Sequence, residues 1–104
     1  MTEFSDLPPG ERLECIEAVV RVEAALRQHL APVKVNLATL GNAVPHLHWH
    51  VIARFAWDTH FPGSVWAAAQ REAPADAIAA IEALRPGLEM ELSRGLTGGP
   101  RNRA

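Results

Sequence analysis

Apolar and polar positions sort this chain into two helical stretches flanking two short strands. Leu13, Ile16, Val19, Val20, Val22, Leu26 and Leu30 recur mostly at spacings of three and four, with Arg12, Glu14, Glu17, Arg21, Glu23, Arg27 and Gln28 filling most positions between. That period gathers the apolar groups on one face and predicts an amphipathic helix over 5–30. Pro9 suits its first position and Ser5 or Asp6 can cap it. Glu11 near the start and Arg27 and His29 near the end match the helix dipole, and Pro32 stops the run. Val33 to Ala38 then alternates and is rich in β-formers, which predicts a strand. Thr39 to Pro45 connects onward with Gly41-Asn42 as turn punctuation. This connection is long for two antiparallel strands, and its tip can present backbone N–H groups to an anion.

The next stretch, His46-Leu47-His48-Trp49-His50-Val51-Ile52-Ala53-Arg54-Phe55, alternates throughout. As a strand it sends His46, His48, His50, Ile52 and Arg54 to one face and Leu47, Trp49, Val51, Ala53 and Phe55 to the other. Ala56 to Trp66 reads as an irregular aromatic loop, either tied down by its own packing or flanking a site or a dimer contact. Ile78, Ile81 and Leu84 predict a second helix from Pro74 to Arg85, broken by Pro86-Gly87. Leu88 to Leu92 fits a short strand or further helical turns, completing a C-terminal extension over 74–92. Residues 97–104 read as a disordered tail. The pattern is α+β, a single domain over 1–104 with its strands and histidines in 33–66.

Composition narrows the class. With 48% hydrophobic and 21% charged residues the 104-residue chain has globular usage. Its net charge of -2 supplies no general attraction to nucleic acid or to an anionic membrane, so neither is expected as a partner. Cys15 is the single cysteine. It permits no intramolecular disulfide, fits a reducing cytoplasm, and reads as a small apolar filler rather than a nucleophile. The first residues lack the basic start and apolar run of a signal peptide, and no stretch approaches roughly 18 uninterrupted apolar residues. A cytoplasmic protein is expected.

Three histidines and an arginine on one half-buried face are poor for stability, because each ionisable group costs free energy unless paired or neutral. Two chemistries suit them. As zinc ligands, a His-x-His pair projects two nitrogens the same way and a third histidine can close the site. However, the first and third lie roughly 13 Å apart along an extended strand, and no carboxylate stands within it. As a nucleophile with flanking tuners, a linear row is what is needed: a neutral central imidazole, His48, attacks phosphorus while its neighbours orient the ring and hold phosphate oxygens.

The run His46-Leu-His48-Trp-His50-Val-Ile resembles the His-φ-His-φ-His-φ-φ signature (φ apolar) of the histidine triad (HIT) nucleotide hydrolases and transferases. Val35-Asn36 and Gly41-Asn42-Ala43-Val44 resemble the family's Asn…Gly-Gln-x-Val approach to the triad. His60-Phe61-Pro62-Gly63 and Trp66 resemble the aromatic-proline loop after it. The likeness runs through residues 5–66 and is nearest to short bacterial HIT-domain proteins. It implies an antiparallel sheet with two helices, completed by dimerisation, and cleavage of a nucleoside phosphoramidate or dinucleoside polyphosphate. It further implies that His48 carries a nucleotidyl-histidine intermediate, that His50 hydrogen-bonds within the triad and helps fix the tautomer of His48, and that His46 helps stabilise the site and the phosphate. Asn36, Gly41 and Asn42 would bind the purine nucleotide substrate, with no cofactor and no metal. The chain departs from the family pattern at Asn42, where glutamine is usual, and at Ala53, where many relatives have proline. The usual N-terminal hairpin is also expected to be missing, which would leave a sheet edge for a second copy to cover. Two further functions fit the same residues: a non-catalytic nucleotide-binding protein and a three-histidine metal-binding protein.

Overall fold

The computed structural model describes residues 3–40 and 46–97, with the side chains of 95–97 left aside. A 3-10 turn at Phe4–Asp6 leads into α1 (Pro9–Leu30), followed by β1 (Lys34–Ala38), β2 (His50–Arg54) and α2 (Ala75–Thr97). The strands pair antiparallel in register Lys34↔Arg54, Asn36↔Ile52 and Ala38↔His50. These three pairs share one face, while Val35, Leu37, Val51 and Ala53 share the other. The α+β architecture with an antiparallel sheet and two helices is as expected.

Helix α1 begins at Pro9 with Pro8 as its N-cap and no side-chain cap. Asp6 does not cap it: its carboxylate accepts the Glu3 backbone N–H at 3.0 Å, closing the preceding 3-10 turn. The helix therefore starts later than position 5. It ends at Ala31, whose left-handed backbone (φ 49°) turns the chain toward Pro32 and β1. The core lies along its second half. Ala25 and Leu26 meet Leu88 of α2, with Val22, Leu30, Val51, Ala53 and Leu92 packed around them. The apolar face of β2 thus rests on α1, as the alternation requires.

One expectation fails at α2 and one open choice is decided. Pro86 lies inside the helix, which continues through it to Thr97, so Pro86-Gly87 is not a break, and of the two readings of Leu88 to Leu92 the helical one holds. Pro86 removes the bond to the Glu82 carbonyl and crowds it, at a cost of about 3 kcal/mol. Burying Leu88 and much of Leu92 against α1 offsets this, at roughly 1.5–3 kcal/mol for a fully buried side chain. His29 of α1 also meets Glu91 across the helix pair at 3.1 Å. Ile78 and Leu84, expected on the buried face, are half exposed. The expected tail falls largely on residues 98–104, which lie outside the described residues.

Candidate active site

Strand β2 begins at His50, not at His46. Its partner β1 ends at Ala38, so His46 to Trp49 approach the sheet without ladder partners. The chain here is free to bond locally, and His48 Nδ1 lies 2.8 Å from the His46 carbonyl oxygen. A carbonyl only accepts, so Nδ1 carries a proton and, in the neutral ring, Nε2 holds the lone pair. The tautomer of His48 is thus set by the main chain of His46. His50 contributes a ring contact instead, its centroid 5.3 Å from that of His48 at 69°. On its other side His50 meets Trp66 edge-on, 5.2 Å between centroids at 88°. His46 is exposed, and the histidines do not converge as ligands: among the described residues no group of three or more His, Cys, Asp or Glu is placed to hold a metal ion. The opposite face is anchored by Phe4, which packs edge-on against Trp49. Trp49 Nε1 and His50 Nδ1 are buried without a hydrogen-bond partner among the described residues.

Beside the histidines lies a polar cluster built on Arg54, which is 2% exposed. The sequence pattern suggests a rim or framework position for this arginine. It is buried because the face it shares with Asn36 is roofed by the loop after β2. Its Nε and Nη2 donate to the two carboxylate oxygens of Asp58 at 3.0 and 3.1 Å. Nη2 also donates to the Gly63 carbonyl at 2.6 Å, and Nη1 to Asn36 Oδ1 at 2.7 Å. The Phe61 ring covers the guanidinium at 5.5 Å.

Asp58 is the residue that sequence reasoning missed. Besides Arg54 it accepts the backbone N–H groups of Phe55, His60 and Phe61 at 2.7–3.0 Å. The arginine, and secondarily these N–H groups, hold its carboxyl far below the usual carboxylate range against the opposing effect of burial. The available signal was Arg54 itself, since a guanidinium on a half-buried strand needs a carboxylate and Asp58 is the first one after it. Arg71 closes the loop by donating to the Asp58 and Phe61 carbonyls at 2.6 and 2.7 Å, and Phe55 stacks on Trp57. The aromatic loop is therefore both tied down and, through Trp66, set against the triad.

The structure thus brings His48 and His50 together at the head of β2 and seats Asn36 on the neighbouring strand, bonded to Arg54. Gly41 and Asn42 lie outside the described residues.

A His-x-His-x-His run feeding the second strand of an antiparallel sheet, backed by two helices, defines a histidine triad protein of α+β architecture. Residues 1–57 match the family profile of the HIT domain, and the chain belongs to that family. Solved structures agree. A histidine triad protein of Bradyrhizobium japonicum is 34% identical with a TM-score of 0.64, the match covering 85% of this chain and 67% of that one. A histidine triad (HIT) protein of Sinorhizobium meliloti 1021 is 29% identical with a TM-score of 0.67, covering 89% of this chain and 65% of that one. A histidine triad protein of Marinobacter aquaeolei VT8 is 27% identical with a TM-score of 0.66, covering 88% and 68%. The chain therefore spans about two thirds of the length of these relatives. No curated protein matches it. No helix among the described residues is long and apolar enough to cross a membrane.

Proposed function

We propose that this protein is a cytoplasmic nucleotide hydrolase or transferase of the histidine triad type, acting on a nucleoside phosphoramidate or dinucleoside polyphosphate. The observation that carries the reading is the 2.8 Å bond from His48 Nδ1 to the His46 carbonyl, which leaves the Nε2 lone pair available for attack. Nε2 forms a bond to the α-phosphorus while the bond from phosphorus to the leaving nitrogen or oxygen breaks. The leaving group departs with that electron pair and takes up a proton. Water then attacks the same phosphorus, the histidine–phosphorus bond breaks, and a nucleoside monophosphate leaves.

His50, in ring contact with His48, and His46 assist at the reacting phosphate, and Asn36, Gly41 and Asn42 bind the nucleotide. The reaction is tested by incubating the full chain with an adenosine phosphoramidate and measuring AMP. His48→Ala is expected to lower turnover at least about 10³-fold. Equal AMP release by His48→Ala would overturn the nucleophile assignment. Binding of AMP with no turnover by the parent chain would replace the enzyme with a nucleotide-binding protein.

A further inference from the structure

Arg54 spends four of its five N–H donors inside the protein, and one of the four goes to a residue read as part of the site. Nε and Nη2 are spent on Asp58 and the Gly63 carbonyl, and Nη1 reaches Asn36 Oδ1 at 2.7 Å. Register explains the reach: Arg54 sits opposite Lys34, and Asn36 is its diagonal neighbour on the same face. Two residues further along β1, Ala38 faces His50. Asn36 therefore stands between the buried guanidinium and the triad.

An asparagine carboxamide can present either its oxygen or its amino group to a neighbour. A guanidinium offers only N–H groups and does not deprotonate in proteins. Turning the Asn36 amide over would set two donors against each other at hydrogen-bonding distance with no lone pair between them. The oxygen is thereby fixed toward Arg54, and the two Nδ2 hydrogens are fixed away from it. Asp58 balances the arginine charge from the opposite side, so the pair orients the amide without itself standing as a cation in the site.

We propose that Arg54 is a positioning residue: it locks the Asn36 carboxamide so that Nδ2 is the neutral donor presented to a phosphate oxygen of the substrate. The proposal rests on the nucleotide-site reading above. It differs from a framework role, in which Arg54 only closes the loop from Phe55 to Arg71, because its effect on substrate passes through Asn36.

The test is a double-mutant cycle on kcat/KM for adenosine phosphoramidate, with Asn36→Ala, Arg54→Lys and the double variant. Lysine keeps a cation for Asp58 but has one nitrogen where arginine has three. Each single variant is expected to lose about 10- to 100-fold, the range for one hydrogen bond to a charged group. The double variant is expected to lose no more than about 3-fold beyond either single one, because an unlocked amide and an absent amide are equivalent. Losses that multiply overturn the proposal while leaving the active site as read.

Should Arg54→Lys not fold, the wild-type chain decides by NMR. The Asn36 side-chain amide signal, assigned by its disappearance in Asn36→Ala, is expected to shift on titration with AMP. AMP binding seen at the triad signals with no shift of that amide overturns the proposal. A wild-type chain that neither cleaves phosphoramidate nor binds AMP overturns the nucleotide-site reading, and this inference with it.

Discussion

Arg54 and Asp58 carry opposite charges into a place where neither is stable alone. The guanidinium is almost wholly buried, and removing its carboxylate leaves an uncompensated charge, so Asp58→Ala is expected to cost about 3 kcal/mol in unfolding free energy measured by urea titration. The pH dependence follows from the direction of the Asp58 shift. Its folded pKa lies below its unfolded value of about 3.9, so its contribution is complete above that value and is lost as pH falls through the acid range toward the folded pKa. The stability gap between the wild type and Asp58→Asn should be widest near neutrality and close progressively below about pH 4. A gap that stayed constant down to pH 2 would show that the carboxylate charge is not what holds Arg54.

At the scale of elements, the C-cap of α1 and the interior of α2 each hold one residue that opposes its own backbone. Ala31 closes α1 in the left-handed region, where a side chain costs about 1–2 kcal/mol. Ala31→Gly should relieve this, less the extra freedom glycine gives the unfolded chain, for a net gain of about 0.5–1 kcal/mol readable as a raised Tm. Pro86 interrupts the ladder of α2, and Pro86→Ala is expected to stabilise by about 1–3 kcal/mol. A loss of stability instead would mean that the proline shapes α2 to seat Leu88. Leu88 is the only apolar residue of α2 that is buried outright among the described residues. Its replacement by alanine should cost about 2–4 kcal/mol.

For the whole molecule, the described core is thin. It joins the C-terminal half of α1, the inner face of β2 and the second half of α2. Although Val19 is buried, other members of the α1 stripe stay in solvent, with Leu13 63% exposed and Val20 49%. Among the described residues the sheet has two strands, each with an open edge, an arrangement that is marginal without a cover. We propose a homodimer that covers some of this surface. Light scattering at micromolar concentration should give about twice the 11.3 kDa chain mass, and a monomeric mass would overturn it.

How far the sequence reached can be traced residue by residue. Alternation fixed the two faces of β2, since a period of two needs no partner to be read, with Val51 and Ala53 on one and Ile52 and Arg54 on the other. The spacing of three histidines pointed to the triad before any coordinate did. The length of β2 was not legible, because strand ends depend on where the partner strand stops, and β1 stops at Ala38. Nor was the path of α2 through Pro86: local propensity argues for a break, and the packing of Leu88 and Leu92 on α1 outweighs it. The burial of Arg54, its clamp on Asp58 and its bond to Asn36 belong to the same class. The sequence by itself determined which residue types line the candidate site and on which face. Only the tertiary structure decided their pairings, because a hydrogen bond between side chains far apart in the chain exists only once packing has removed the water that would otherwise satisfy both partners.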